Sequence, residues 1–506
     1  MIGKDKICAV VAAEDARSML HQLADALWQS RTVELRLDWL AGDREIESFL
    51  RRFTASRLHA KPDVTLIATC RRRSAGGNYS GSIAKQLLHL AEALRAGCTW
   101  YDLEIESIRQ CPAELLDVLV GEGRRLVSAH FFQAAPRNLE RVAHELNRSG
   151  ADAIKVAAQC ELLADGVKVL RLARAQRNVV AIPMGDAVLP LRVLALREGS
   201  AISYAPLENA TAPGQVSLKT MKNLYRADRL DSRTRVYGIV GNPVAQSLSP
   251  VMQNVAFQAR RINAVYLPFL VKNLRDFLGA IKPLGVAGFS VTIPHKQEIL
   301  RHLDECDPLA VAIGAVNTVV VRTNGKLCGY NTDYVGVLRA LEPRIPLRGS
   351  RVLILGAGGA ARAVAFALAE AGAVVCVCAR RAKRAAALAK AVHGQVIDRP
   401  QLRSEFFDAI VNATPVGMYP RLQDSPLEAR DLNCRLVFDT IYRPRETRLL
   451  RLAASRGIQT VSGLEMFIAQ GTAQWKIWTG QRAPADIMRK AALNALQREE
   501  RSQGRR

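Results

Sequence analysis

Eight short apolar, β-branched runs recur at a steady interval over the first 210 residues, and no other feature constrains the fold of this chain as strongly. They begin near Lys6 (KICAVVA), Thr32 (TVELRLD), Asp63 (DVTLIATC), Trp100 (WYDLEI), Arg125 (RLVSAH), Ala153 (AIKVAA), Asn178 (NVVAIPM) and Ala201 (AISYAPL). Most of the gaps resemble GSIAKQLLHLAEALRAG, where apolar residues fall three and four apart as on one face of a helix. Strand and helix alternating eight times predict an α/β domain closed as a (β/α)8 TIM barrel, with an open doubly wound sheet as the alternative.

One core does not account for 506 residues, about twice the length at which a single core stops growing. After RADRLDSRTR, a charged stretch that reads as a linker, RVYGIVGNPVAQSLSP from Arg235 looks like the start of a second protein. It offers a strand, a tight Gly-Asn-Pro turn, and the hydroxyls of Ser247 and Ser249 ahead of a helix. Further on, VLILGAGGAARAVAFALAEAGA places Gly356, Gly358, Gly359 and Ala360 between an apolar strand and an alanine-rich helix. Such a turn lets backbone approach a pyrophosphate, which the helix N-terminus then binds through unpaired N–H groups. A second strand, VVCVCARR, ends in Arg380 and Arg381 with Lys383 close by, where an NAD site would carry an acid. Arginine pairs with a 2′-phosphate, so the cofactor expected in this Rossmann domain is NADP, as NADPH.

Polar side chains inside the early strands are the informative ones. Glu34, Arg36 and Asp38 alternate and so share one face, either as an internal ion-pair network or as part of a site. Lys155 stands alone in the apolar run AIKVAA. Burial disfavours the charged form of an amine, and an uncharged amine attacks a ketone to form a Schiff base. His130 closes the preceding strand, where a barrel carries its catalytic side chains, and imidazole suits proton transfer.

Charge and cysteine content narrow the partners. The net charge is +24, but the basic residues are spread along the chain, mixed with acids and not interleaved with aromatics. No nucleic-acid partner is expected; small anionic substrates or a basic surface account for the charge. No apolar run reaches the length of a membrane span, and MIGKDKICAVVAAED enters its first strand too early for a leader, so a cytoplasmic protein is expected. None of the ten cysteines forms a Cys-x-x-Cys pair, which predicts buried reduced thiols and no metal site. Oligomeric state stays open.

From about residue 5 to 225, ELRLD, Arg71 ahead of GGNYSG, SAHFF, IKVA and TAPGQVS together resemble the type I 3-dehydroquinate dehydratases. The resemblance implies a domain over 1–228 in which Lys155 forms an imine with the substrate ketone. His130 would remove the adjacent proton and then help the hydroxyl leave. Arg192 would hold the substrate carboxylate, Glu34, Arg36 and Arg71 would line the site, and Thr211 and Gln215 would sit on a closing loop. Two positions depart from the family pattern: Ala75 replaces a glutamate before the Gly-Gly, and Phe131 replaces the aspartate that commonly follows the histidine.

From Arg235 to Gly480 the chain resembles the shikimate dehydrogenases, through GNPVAQSLSP, GFSVTIPHK, GAVNTVV, GYNTDYVG, VNATPVGM, VFDTIY and GLEMFIAQGTAQWKIWTG. That implies a substrate lobe over 235–338, completed by helices over 463–500, and a Rossmann lobe over 345–462. Lys296 and Asp333 would be the catalytic pair. Ser247 and Ser249 would bind the substrate carboxylate, and Thr292, Asn317, Tyr442 and Gln470 the ring hydroxyls. Thr414 and Met466 would flank the nicotinamide. The chain then reads as a fusion of two consecutive enzymes, converting 3-dehydroquinate through 3-dehydroshikimate to shikimate. The rivals are quinate as the substrate of the second half, and a regulatory or nucleic-acid-binding protein on a degenerate enzyme scaffold.

Overall fold

In the computed structural model, which describes residues 2–60, 63–119, 121–207 and 215–503, the eight apolar runs become eight strands. They are β1 (Ile7–Val11), β2 (Thr32–Arg36), β3 (Thr65–Thr69), β4 (Trp100–Glu104), β5 (Arg124–Phe131), β6 (Ala153–Gln159), β7 (Val179–Met184) and β8 (Ser203–Pro206). All pair in parallel with their sequence neighbours from β1 to β7, and β8 lies beside β1. A doubly wound sheet would reverse its order around the first strand; this one does not, and it is nearly closed. At the seam between β7 and β8, Ala201 N–H donates to the Val179 carbonyl at 2.8 Å.

Local chemistry agrees with this layout. Every residue of β1 is buried, as expected for a parallel strand covered on both faces. The helices 16–29, 83–95 and 139–148 start at Asp15, Ser82 and Asn138, each accepting a first-turn N–H. Such caps contribute about 1 kcal/mol each. Cys8, Val10, Ile67, Trp100, Leu126, Ala153 and Val180 fill the barrel with a packed apolar layer.

Two compact units emerge: Met1–Thr234 with Phe269–Leu284, and Arg235–Pro268 with Gly285–Arg506. Residues 269–284, which the sequence reading assigns to the lobe over 235–338, lie in the first of these. After the barrel the chain forms two six-stranded sheets. One contains β9 (Arg235–Gly241), β10 (Ala264–Leu270), β11 (Val286–Val291), β12 (Glu305–Cys306), β13 (Thr318–Val321) and β14 (Leu327–Tyr330), in the order β10-β9-β11-β13-β14-β12. The other contains β15 (Arg351–Leu355), β16 (Val374–Cys378), β17 (Gln395–Val396), β18 (Phe407–Asn412), β19 (Cys434–Asp439) and β20 (Gln459–Ser462). Its all-parallel order β17-β16-β15-β18-β19-β20 is that of a dinucleotide-binding Rossmann sheet, with the direction of winding reversing between β15 and β18.

Five helices matter for the sites of the second unit: α1 (Ser249–Ala259), α2 (Asp333–Leu341), α3 (Gly359–Glu370), α4 (Leu464–Thr479) and α5 (Ala485–Gln503). Although α4 and α5 follow the Rossmann strands, they return to the first sheet. Trp478 Nε1–H donates to the Val319 carbonyl at 3.1 Å, and Gln253 Nε2–H to that of Gly471 at 3.1 Å. Trp475, fully buried, packs its ring 5.0 Å from Phe257 of α1.

Candidate active sites

Glu34, Arg36, Arg71, His130, Lys155, Arg192 and Gln215 all line one cavity in the barrel. Thr211 lies outside the described residues. The residues come from β2, β5, β6 and the segments after β3, β7 and β8, so parallel strands in order bring together positions far apart in sequence.

The expected apolar setting of Lys155 is corrected. Its side chain is buried, but Nζ donates to Asp102 Oδ2 at 2.7 Å and to Glu34 Oε1 at 3.4 Å, and lies 4.2 Å from the centre of the Tyr204 ring. The apolar pattern of β6 describes its own neighbours; the carboxylates arrive from β4 and β2. Asp102 also accepts from Ser128 Oγ at 2.6 Å and pairs with Arg71 at 2.8 Å. Burial would raise its carboxyl, yet Arg71 and Lys155 outweigh burial and hold it well below the carboxylate range.

Arg71 continues to His130, its Nη1 meeting both ring nitrogens, Nδ1 at 2.8 Å. A guanidinium only donates, so the imidazole must present a lone pair to it. Burial, followed by the Arg71 and Lys155 charges, pushes His130 well below its ordinary value near 6.5 and keeps the ring neutral. Arg192 is buried with its Nε on the Pro183 carbonyl at 3.2 Å, and no ion pair is recorded for it among the described residues. Burial lowers its guanidinium to about 10. An unpaired buried cation facing a cavity is a place for an anion.

The three alternating charges of β2 divide between both readings. Glu34 and Arg36 face the cavity, whereas Asp38 lies beyond the strand end and forms a two-bond ion pair with Arg36, at 2.9 and 2.8 Å. Ala75 is buried at the end of a short turn over 73–75. The ring of Phe132, not Phe131, stacks on His130, with centroids 6.1 Å apart. It also rests on Gly76, where a Cβ would come within 2.1 Å of it.

A second cavity, inside the second unit, is lined by Ser247, Ser249, Thr292, Lys296, Asn317, Asp333, Ala360, Thr414, Tyr442, Met466 and Gln470. Asn331 accepts the Asp333 N–H at 3.1 Å, so the Asn-Thr-Asp stretch is a turn that also delivers Asp333 to the start of α2. Lys296 Nζ donates to Asp333 Oδ2 at 2.5 Å, while Asn317 Nδ2 donates to Oδ1 at 2.8 Å. Asn317 is itself held: its Oδ1 accepts from Thr332 N–H at 2.8 Å, and its carbonyl accepts from Gln474 at 3.2 Å. Tyr442 stacks on Phe467 at 4.2 Å and bonds with Ser247.

The residues for a dinucleotide adjoin this cavity and fit one. Gly356, at φ 114°, follows β15 in a backbone region that favours glycine, and a Cβ there would sit 3.1 Å from Thr414. Gly358 precedes α3 with no side-chain cap, and a Cβ on it would meet nothing, so the space beside the helix start is open. A Cβ on Gly359 would press on Lys296 at 3.2 Å. Arg380 and Arg381 stand exposed just past β16. Thr414 Oγ1 donates to Asn412 Oδ1 at 2.7 Å, and Asn412 Nδ2 to Asp439 Oδ1 at 3.0 Å.

Asp102, Tyr204, Ser290 and Gln474 escaped the sequence reading. Asp102 carried the signal that exposed Lys155, a charge within a buried strand, in WYDLEI. Gln474 carried none; it joins Ser290, Thr318 and Asn317 only because α4 returns across more than 150 residues.

Comparison with known proteins matches residues 7–232 to type I 3-dehydroquinase. Residues 239–319 match the shikimate dehydrogenase substrate-binding domain, 340–440 the shikimate/quinate 5-dehydrogenases, and 463–493 the shikimate 5′-dehydrogenase C-terminal domain. The bifunctional 3-dehydroquinate dehydratase/shikimate dehydrogenase, chloroplastic, of Arabidopsis thaliana is 34% identical over 511 residues, spanning 95% of this chain and 83% of that one. The NADP(+) shikimate dehydrogenase of Symbiobacterium thermophilum is 44% identical over 281 residues, 52% of this chain and 95% of its own. That of Methanosarcina acetivorans is 44% identical over 278 residues, 52% of this chain and 99% of its own.

Proposed function

The chain belongs to the bifunctional 3-dehydroquinate dehydratase/shikimate dehydrogenase family, and from that premise we propose a chemistry for each half. The barrel dehydrates 3-dehydroquinate to 3-dehydroshikimate through a Schiff base on Lys155. The second unit reduces that product to shikimate with NADPH, using Lys296 and Asp333. The functional divisions are 1–228 for the dehydratase, 235–338 with 463–500 for the substrate lobe, and 345–462 for the cofactor lobe. The compartment we assign is the cytoplasm, where the ten free cysteines remain thiols.

The observation that carries the dehydratase reading is an amine, an imidazole and a guanidinium lining one cavity, the guanidinium buried with no ion pair recorded among the described residues. Arg192 takes the substrate carboxylate in a charge-assisted pair. Lys155 condenses with the ketone, water leaves, and the resulting protonated C=N bond draws electrons from the adjacent C–H. His130 takes that proton and returns it to the departing hydroxyl, which leaves as water. Glu34, Arg36 and Arg71 hold the ring, and Gln215 lies against it.

In the second unit Ser247 and Ser249 receive the carboxylate, and Thr292, Asn317, Tyr442 and Gln470 the ring hydroxyls. Gly356, Gly358, Gly359 and Ala360 would hold the pyrophosphate, Arg380 and Arg381 the 2′-phosphate, and Thr414 and Met466 the nicotinamide end. NADPH, when bound, supplies the hydride. Lys296 delivers a proton to the ketone oxygen as it becomes a hydroxyl, and Asp333 keeps the amine aimed for that delivery.

One cuvette tests both halves: purified protein, 3-dehydroquinate and NADPH, followed by loss of the NADPH absorbance. Steady oxidation is expected. Oxidation only after addition of 3-dehydroshikimate would remove the dehydratase reading, and silence with both substrates would remove the reductase reading and call for quinate. Borohydride added with product should label the wild-type chain and leave Lys155→Ala unlabelled.

A further inference from the structure

Asp102 is fully buried, and its Oδ2 meets both Lys155 Nζ, at 2.7 Å, and Arg71 Nη2, at 2.8 Å. Its other oxygen is taken by the Ser128 hydroxyl at 2.6 Å. Arg71 in turn faces His130, whose recorded polar partners among the described residues are the Arg71 guanidinium alone. We propose that Asp102 is a catalytic residue of the barrel site, the counter-ion of the Lys155 nitrogen wherever that nitrogen carries charge and, by holding Arg71, the anchor of the cation against His130. The proposal rests on the dehydratase reading.

Charge balance explains why one fixed carboxylate serves every step. An ammonium and a ketone give an iminium and water, with one positive charge on the nitrogen before and after. When His130 takes the C–H proton, the iminium becomes a neutral enamine and the charge moves to the imidazole. When the hydroxyl departs with that proton as water, the charge returns to the nitrogen. A carboxylate against the nitrogen favours the charged imine, the form that acidifies the C–H. Arg71 opposes a positive imidazole, so the proton is held only transiently, and Asp102 moderates that opposition from the far side of the guanidinium. Glu34 is the weaker candidate: it lies 3.4 Å from Nζ and also accepts from Thr69 at 2.9 Å. The charges that act on the imidazole are Arg71 from the segment after β3, Lys155 from β6, Asp102 from β4 and Arg36 from β2.

Asp102→Asn in the full chain tests this. Dehydration kcat is expected to fall about 100-fold or more, while reduction of 3-dehydroshikimate by the same chain is unchanged. The acid limb of kcat/KM should also move to lower pH, because Arg71 then faces His130 with less opposition; a merely structural role would not move it. A variant within about threefold of wild type, or a loss with an unmoved acid limb, would overturn the proposal. If near-UV circular dichroism shows that the variant barrel does not fold, Ser128→Ala decides. It keeps the carboxylate but removes one donor, and should lower kcat about fivefold; unchanged kcat overturns the proposal. A wild-type chain that neither dehydrates 3-dehydroquinate nor is trapped by borohydride would instead refute the dehydratase reading itself.

Discussion

Replacing Asp439 with asparagine should make the Rossmann sheet more stable at pH 8 and confer no advantage at pH 4. Asp439 ends β19 with no exposed surface. Its Oδ1 accepts from Asn412 Nδ2 and Ile441 N–H, each at 3.0 Å, and its Oδ2 accepts from Thr447 Oγ1 at 2.6 Å. No cation is recorded beside it among the described residues. Burial therefore dominates and raises its carboxyl from 3.8 to about 6, against the partial relief of the three donors. With the folded value above the unfolded one, the native state binds the proton more tightly. The stability this contributes is fully present below pH 3.8 and is lost as pH rises through about 6. A rise of about two pH units corresponds to about 3 kcal/mol at pH 8. Asparagine keeps an oxygen for Asn412 and Ile441 and turns its amide toward Thr447, whose hydroxyl then loses an acceptor at a cost of about 1 kcal/mol. A net gain of about 2 kcal/mol at pH 8 remains. Hydrogen exchange of the β15–β20 amides reads this sheet alone across pH 4–8. A variant less stable than wild type at pH 8, or a difference independent of pH, would refute the reasoning.

Lys296→Ala should lower reduction of 3-dehydroshikimate by about 10²–10⁴-fold and leave dehydration unchanged, as assayed separately with each substrate. The acid limb of kcat/KM for dehydration should lie below pH 6.5, because burial and Arg71 keep His130 unprotonated until the solution is more acidic; a pH–rate profile checks it.

Much of the fold was legible because its signals are local. Burial on both faces of a parallel strand writes an uninterrupted apolar run, and eight such runs with helical spacing between them allow few architectures. The glycine turn at 356–359 was equally readable, since φ 114° at Gly356 and the open start of α3 are demands on the backbone itself. The seam of the barrel was not legible, because whether β7 and β8 pair depends on the curvature of the whole sheet.

For the two sites, the sequence by itself singled out candidate residues. A lysine in AIKVAA, a histidine closing RLVSAH and an Asn-Thr-Asp turn are conspicuous from their neighbours along the chain. The tertiary structure alone decided what those residues feel. Lys155 meets Asp102 from 53 residues away and Glu34 from 121, so its surroundings are ionic where its own strand is apolar. Arg71 reaches His130 across 59 residues, and Gln474 closes on Asn317 across 157. Periodicity records how a segment meets its immediate surroundings, whereas the sign of the charge opposite a side chain depends on which distant strand the fold brings beside it.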